Sequence, residues 1–294
     1  MTAVCAGALA CAMRKTEPEP TPNPTPTPTP AAVIAVAGGE DEPAFRQMIE
    51  LIAHSAACEF VSLDESALVN WRPKGRASLI LCLGADEADA DALTALKERG
   101  VGVYAYAAQG QTLPAGVLAL RYDEKGAAAL ALDTALHYEN YDMPVRLIGM
   151  FSDTDSEAAA LWDKAVSEGR ILVKGSYYKA SAKKEAADWL GAQLNGYYEG
   201  MLDGIFCETA ALTDAAIEVL LTQARGDIEI FSASLNGKLL LQLGDAGALK
   251  CAVGPDPALA GRLCTEQAIV LLYGGTAEAL LIGPSLFSPS DLPR

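Results

Sequence analysis

From Ala31 onward two patterns alternate along the chain. Short continuous apolar runs, rich in β-branched residues, are each followed by a stretch in which apolar positions recur every three or four residues. "AAVIAVAGG" (31–39) is the first such run, and "EPAFRQMIELIAHSAA" then sets Phe45, Met48, Ile49 and Ile52 at helical spacing. A run without polar alternation predicts a strand buried on both faces, and a 3.6-residue period predicts an amphipathic helix. The alternation repeats with "SLILCLG" before "DADALTALKERG", then "VGVYAYA", then "VLALRY" before "EKGAAALALDTALHY". It pauses near "NYDMP" and restarts with "VRLIGMF", a helix "DSEAAALWDKAVSEG", "ILVKGSYY" and a helix "SAKKEAADWLGAQLNGYYEG". Next comes "MLDGIFCETAALTDAAIEVL", then "DIEIFSASL", "ALKCAV", "GPDPALAGRLCTEQAIVLLYGG" and the tail "ALLIGPSLFSPSDLPR". Short strands separated by helices predict parallel sheets covered on both faces. Two successive units of four or five strands predict an α/β protein of two lobes, with a ligand cleft between them where the strands end.

One junction shows how such a cleft grips a guest. The apolar run Gly204 to Cys207 stops at Glu208-Thr209, and an amphipathic helix pattern begins at once. At a strand-to-helix corner, free amides and the helix dipole point into the crevice beside short polar side chains.

The segment before Ala31 has a different character. Residues 1–13, MTAVCAGALACAM, are nearly all apolar or small, and 14–30 read RKTEPEPTPNPTPTPTP. Alternate prolines fix φ and remove amide donors, so 14–30 are expected to be a disordered Thr/Pro-rich linker with no core. Ala8-Leu9-Ala10-Cys11 resembles a bacterial lipoprotein processing site, with Ala8 where leucine is usual and no basic segment before it. That resemblance implies a truncated signal or lipoprotein segment over 1–13, lipid on Cys11, and contact with a membrane only through this anchor. No run in the chain reaches the ~18 to 20 apolar residues of a spanning helix.

Charge and chemistry narrow the function classes. Against 22 basic residues stand 38 acidic ones, a net charge of -16, which repels a phosphate backbone and argues against nucleic-acid partners. The seven cysteines are scattered, with no C-x-x-C and no Cys/His spacing suited to zinc. Cys58, Cys82, Cys207 and Cys251 read as buried thiols, with a Cys251–Cys264 disulfide left open. His54 and His137 are the only histidines, and both sit in helix patterns that suit packing or surface positions. There is no G-x-S-x-G, P-loop or G-x-G-x-x-G, and "AVAGGEDEP" puts acids where a phosphate would have to lie. The chain is therefore expected to be no enzyme and to hold neither cofactor nor metal.

"DGIFCETAALTDAAIEVL" and "ALKCAVGPDPALAGRLCTEQAIVLLYGG" resemble the corresponding segments of type I periplasmic binding proteins and lac-repressor-like sugar sensors. The similarity runs over about 31–294 and is carried by the ordered series of elements. It implies an α/β fold of two Rossmann-like, doubly wound parallel-sheet lobes joined by three hinge strands, with crossings near 142–145, near 254–256 and after Gly275. The N-terminal lobe would then be 31–143 plus 255–275 and the C-terminal lobe 144–254 plus 276–294, with Gly261 facing a strand. The implied function is that of an extracytoplasmic solute-binding lipoprotein of an ABC-type transporter, periplasmic or anchored to the outer face of the bacterial cytoplasmic membrane. Such a protein is a monomer that captures a small polar solute, a sugar or sugar-like, and hands it to an ABC permease or a membrane receptor.

The sequence departs from the family where sugars are usually held. Thr209-Ala210 stands where Asn-Asp is common, Ala107-Ala108 where Asp-Arg is common, and Ser234 where an aspartate is usual. No arginine occurs between Arg146 and Arg170. Each desolvated polar anchor lost weakens sugar binding by ~1 to 3 kcal/mol, so either the guest differs or the chain is a surface-anchored sensor or scaffold with a diverged cleft. The residues expected at the ligand are Glu40, Asp41, Phe45, Tyr106, Asp153, Tyr177, Tyr178, Glu208, Thr209, Ser234 and Asp256, with Gln109 and Ser232 beside them. The acidic members point to a polyol or a cation-bearing solute.

Overall fold

A computed structural model describes residues 32–39, 42–73, 75–82, 90–113, 115–138, 144–179, 183–244 and 247–291. Cys11, the 14–30 spacer, Glu40 and Asp41 lie outside the described residues.

The first sheet is built from β1 (Ala32–Ala37), β2 (Glu59–Leu63), β3 (Arg76–Cys82), β4 (Gly102–Ala108), β5 (Leu118–Tyr122) and β11 (Leu280–Ile282). All pair in parallel, in the order β11-β5-β4-β3-β1-β2. The second sheet holds β6 (Val145–Phe151), β7 (Ile171–Tyr178), β8 (Gly204–Cys207), β9 (Glu229–Ser232), β10 (Leu249–Gly254) and β12 (Ser285–Phe287), in the order β12-β10-β9-β8-β6-β7. Only β12 runs antiparallel, against β10. Six strands per sheet exceed the four or five that the apolar runs predict. The extra ones are short: β2 is a half-buried edge, and β11 and β12 have three residues each.

Strand period 2 explains why both faces are covered. Val33, Ala35 and Ala37 of β1 enter a core with Leu93 and Leu96 of α2 (Ala90–Glu98). Ala32, Ile34 and Val36 enter another, with Phe45 and Ile49 of α1 (Pro43–Ser55) and Ala260, Cys264 and Ala268 of α8 (Pro257–Leu272). Gly261 of α8 faces α1 and not a strand: a Cβ there would sit 2.6 Å from the Phe45 carbonyl oxygen. The second sheet is covered on one face by α5 (Lys183–Leu194), α6 (Ala210–Thr222) and α7 (Gly237–Gly244). On the other face lie α3 (Glu124–Leu136) and α4 (Glu157–Ser167).

The position of α3 moves the first crossing. Its apolar face, Ala127, Ala128, Ala131, Leu132, Ala135 and Leu136, packs with Leu147, Phe206 and Val253 of the second sheet. The chain therefore changes lobes between β5 and α3, at 122–124, and not at 142–145 as the resemblance implies. Small alanine side chains let this helix backbone come close to a sheet, and nothing in their spacing says which sheet. The second crossing joins β10 to α8 at 254–257. The third is also corrected. β11 still pairs with β5, so the chain leaves the first lobe after Ile282 and not after Gly275. The first and third crossings touch: Asp123 N donates to the Ile282 carbonyl at 3.3 Å.

Cys251 and Cys264 lie in the cores of different lobes, and all five described cysteines are buried outside any disulfide.

Candidate functional site

The first and second lobe-crossings and the corner after β8 open on one cavity of about 690 Å³. From the first lobe it is lined by Glu42 before α1, by Tyr106, Gln109 and Gly110 at the end of β4, and by Tyr122 at the end of β5. The first crossing contributes Glu124 and Lys125, and the second Gly254 and Pro255. From the second lobe come Ser152, Ser156 and Glu157 after β6, Glu208 and Thr209 after β8, and Ser234 and Leu235 after β9. The lining is thus drawn from carboxyl ends of parallel strands, where open α/β sheets hold ligands.

The local chemistry fixes several of these groups. Glu208 N donates to the Met150 carbonyl at 3.0 Å, extending the β6–β8 pairing by one residue. Its Oε2 accepts from Ser152 N at 2.5 Å and Ser152 Oγ at 2.7 Å, so the carboxylate ties two strand ends together. Thr209 caps α6, its hydroxyl accepting from Leu212 N at 3.3 Å, and Ser156 caps α4 through Ala159 N at 3.1 Å. Beneath the β9 end the buried Ser232 Oγ lies 2.7 Å from Thr213 Oγ1 and donates to the Ser234 carbonyl at 2.9 Å. Arg121 Nη1 donates to the carbonyls of Ala108, Gln109 and Gln111 at 2.8 to 2.9 Å, which holds the loop carrying Gln109 at the rim.

An aromatic wall stands opposite these polar groups in chemistry. Tyr106 stacks on Phe45 (centroids 4.9 Å, planes at 20°) and leans on Tyr122 (5.4 Å, 46°). Burial, then Tyr122 and Glu42, pushes the Tyr106 phenol far up. Tyr122 is pushed up to about 12 by burial, then by Glu124 and Glu42. Both are neutral hydrogen-bonding phenols at physiological pH. Glu124 is raised as well, by desolvation first and by the Glu208 charge second. Lys125 bridges to Glu157 at 2.8 Å. The thiols carry no activated nucleophile: burial raises Cys58, Cys207, Cys251 and Cys264, Cys251 to about 12.

No protein-family model and no curated protein matches the sequence. Solved structures do match in fold. The Caulobacter myo-inositol binding protein, bound to myo-inositol, superposes with a TM-score of 0.64 at 18% identity, over 92% of this chain and 97% of that one. An ABC transporter periplasmic solute binding protein from Actinobacillus succinogenes, with bound D-allose, gives 0.68 at 10% identity, over 88% and 97%. A sugar ABC transporter protein from Yersinia enterocolitica gives 0.65 at 16%, over 89% and 84%. The fold is the one these solute-binding proteins share.

Within this solute-binding-protein fold the expected site residues divide. Tyr106, Glu208, Thr209 and Ser234, with Gln109, meet at the cavity. Phe45 does not reach it: 1% exposed, it lies in the core under Tyr106. Tyr177 is buried against Trp189 on the α5 side of its sheet, and its neighbour Tyr178 points to the opposite face and stacks on Phe151. Asp153 is exposed in the loop before α4, outside the lining. Asp256 is used as the cap of α8, its Oδ1 accepting from Ala258 N at 2.9 Å and Leu259 N at 3.3 Å. Ser232 is buried below Ser234. Sequence reasoning missed Glu42, Tyr122, Glu124, Lys125, Ser152 and Glu157. The signal was present for Tyr122 and Glu124, which end one strand pattern and open the next helix pattern.

Proposed function

We propose that the protein is the extracytoplasmic solute-binding component of an ABC-type transporter and captures a small, polar, sugar-like solute between its lobes. The observation that carries this reading is that two separately cored lobes send polar and aromatic side chains from their strand ends into one cavity of about 690 Å³. That volume lies in the ~300–1,000 Å³ range of small-molecule sites. Support comes from the bound myo-inositol and D-allose in proteins of the same fold. On this reading Cys11 carries a lipid, the 14–30 spacer sets the monomeric receptor off the membrane, and an ABC permease or membrane receptor takes the solute.

A thermal-shift screen against monosaccharides, polyols, nucleosides and amino acids tests the central claim. A true ligand at 100 times its Kd adds ~2.7 kcal/mol of stability. No stabilisation by any class would favour the scaffold, a reading kept in view by Ala107, Ala108 and Ala210 at positions where polar anchors are common in the resembling family. Loss of membrane association on Cys11→Ser would support the anchor, and unchanged association would remove it.

A further inference from the structure

The charge of the cavity says what kind of solute fits, given the reading that the cavity binds one. Among the described residues four glutamates, Glu42, Glu124, Glu157 and Glu208, line it, against one basic residue, Lys125. Lys125 is held by Glu157 at 2.8 Å. Glu208 is oriented by the amide and hydroxyl of Ser152, neutral donors that fix the carboxylate without cancelling its charge. Glu124 stands at the start of α3, where the Glu208 charge reaches it. A neutral sugar would leave these two carboxylates repelling each other in a space from which it has displaced water. A cation placed between them relieves that repulsion and supplies donors to both.

The remaining lining suits the same guest. The rings of Tyr106 and Tyr122 form a continuous aromatic surface beside Glu42 and Glu124, and aromatic faces attract cations within about 6 Å of the ring centre. Thr209, Ser234 and Gln109 add hydroxyl and amide partners for alcohol groups. The arginine available at the end of β5, Arg121, donates to three backbone carbonyls of its own loop. We propose that the solute is a polyhydroxylated amine, of the amino sugar or aminocyclitol class, whose ammonium group sits between Glu124 and Glu208 against the tyrosine wall.

Matched pairs test this by isothermal titration at slightly acidic pH, where the amines are protonated and carboxylates ionised. Glucosamine, galactosamine, mannosamine and an aminocyclitol are each compared with the neutral parent, and the sugars also with their N-acetyl forms. At least one amine is expected to bind about 30-fold tighter than its parent, or ~2 kcal/mol, with acetylation abolishing the gain. In Glu208→Gln, and separately in Glu124→Gln, the amine-to-parent ratio falls toward one. Two substitutions on different elements keep the test valid if one of them impairs folding. Should parents, or a neutral solute from the wider screen, bind as tightly as every amine, the charge assignment is overturned while the solute-binding reading stands. Absence of binding by any amine and by any member of the wider screen overturns both.

Discussion

Asp256 and Glu124 both start helices at the cleft, and the structure gives them different work. Asp256 spends its carboxylate on two backbone amides of α8. Asp256→Ala is therefore expected to cost about 1 kcal/mol of stability, the usual value of an N-cap, while solute affinity stays within about twofold. Urea unfolding and titration of the same protein check both halves, and a large loss of affinity would return Asp256 to the site. Glu124 behaves oppositely, because desolvation and Glu208 raise its pKa. The folded protein holds that proton to higher pH than the unfolded chain does, so stability falls as pH rises through the carboxylate range. Glu124→Gln should raise the melting temperature at pH 7, with the gain shrinking as pH falls through the raised folded value and gone below about 4.3, where both states are protonated. Flanking charges belong to the same experiment: Glu208, Glu42, Asp123 and Lys125 stay in place, and a gain that is independent of pH would refute the cause. The sequence makes the end of a strand visible but not the face a side chain takes. Tyr106 and Glu208 reach the cavity from strand ends, whereas Tyr177 and Tyr178, equally placed at a strand end, do not: Tyr177 enters the core on one face and Tyr178 lies exposed on the other, stacked on Phe151.

At the scale of elements, buried strands were legible because parallel sheets leave no polar alternation, and "AVIAVA" and "VRLIGMF" are interior strands of their sheets. What stayed hidden were elements with weak or short patterns. β2 exposes half its residues, and α7 is eight residues long with three consecutive leucines, which no helical period reveals. The lobe to which α3 belongs was hidden for another reason, since an alanine-rich face packs against any sheet that approaches it. Close approach also governs α1 and α8. A Cβ on Gly261 would lie 2.6 Å from the Phe45 carbonyl oxygen and 3.1 Å from Met48 Cβ, and a carbonyl in a helix cannot yield without moving the helix. Alanine in place of glycine improves helix propensity by about 1 kcal/mol, while overpacking costs about 1 to 3. Gly261→Ala is expected to lose on balance about 1 kcal/mol or more, read as a lower urea midpoint with unchanged slope. A stabilised variant would mean that the two helices separate more freely than their packing implies.

The whole molecule is two cored lobes connected by three crossings, and the crossings are not equivalent. The first and third are joined by the Asp123 N to Ile282 O hydrogen bond, and a Cβ on Gly126 would lie 3.3 Å from Pro284 Cγ, so they act as one strap. The second is attached through strand pairing, Gly254 of β10 lying opposite Ser285 of β12 beside the third crossing, and a Cβ on Gly254 would lie 2.6 Å from Leu235 Cβ, a residue of the cavity wall. Hinges of this kind absorb backbone rotation in a few residues when a ligand touches both lobes. Only differential contact can shift such an equilibrium, so a solute that reached one lobe alone would bind without bringing the lobes together. Hydrogen exchange separates the two cases. A bridging solute should slow exchange in the loops after β4 and β5, in those after β6 and β8, and at the crossings 122–126, 254–257 and 282–285. A solute held by one lobe should protect that lobe's loops and leave the crossings unchanged. With Glu208→Ala the second lobe loses the carboxylate that links its strand ends, and protection at the crossings should fall more than protection near Tyr106 and Tyr122. Equal loss at both places would show that the lobes respond as a single rigid unit.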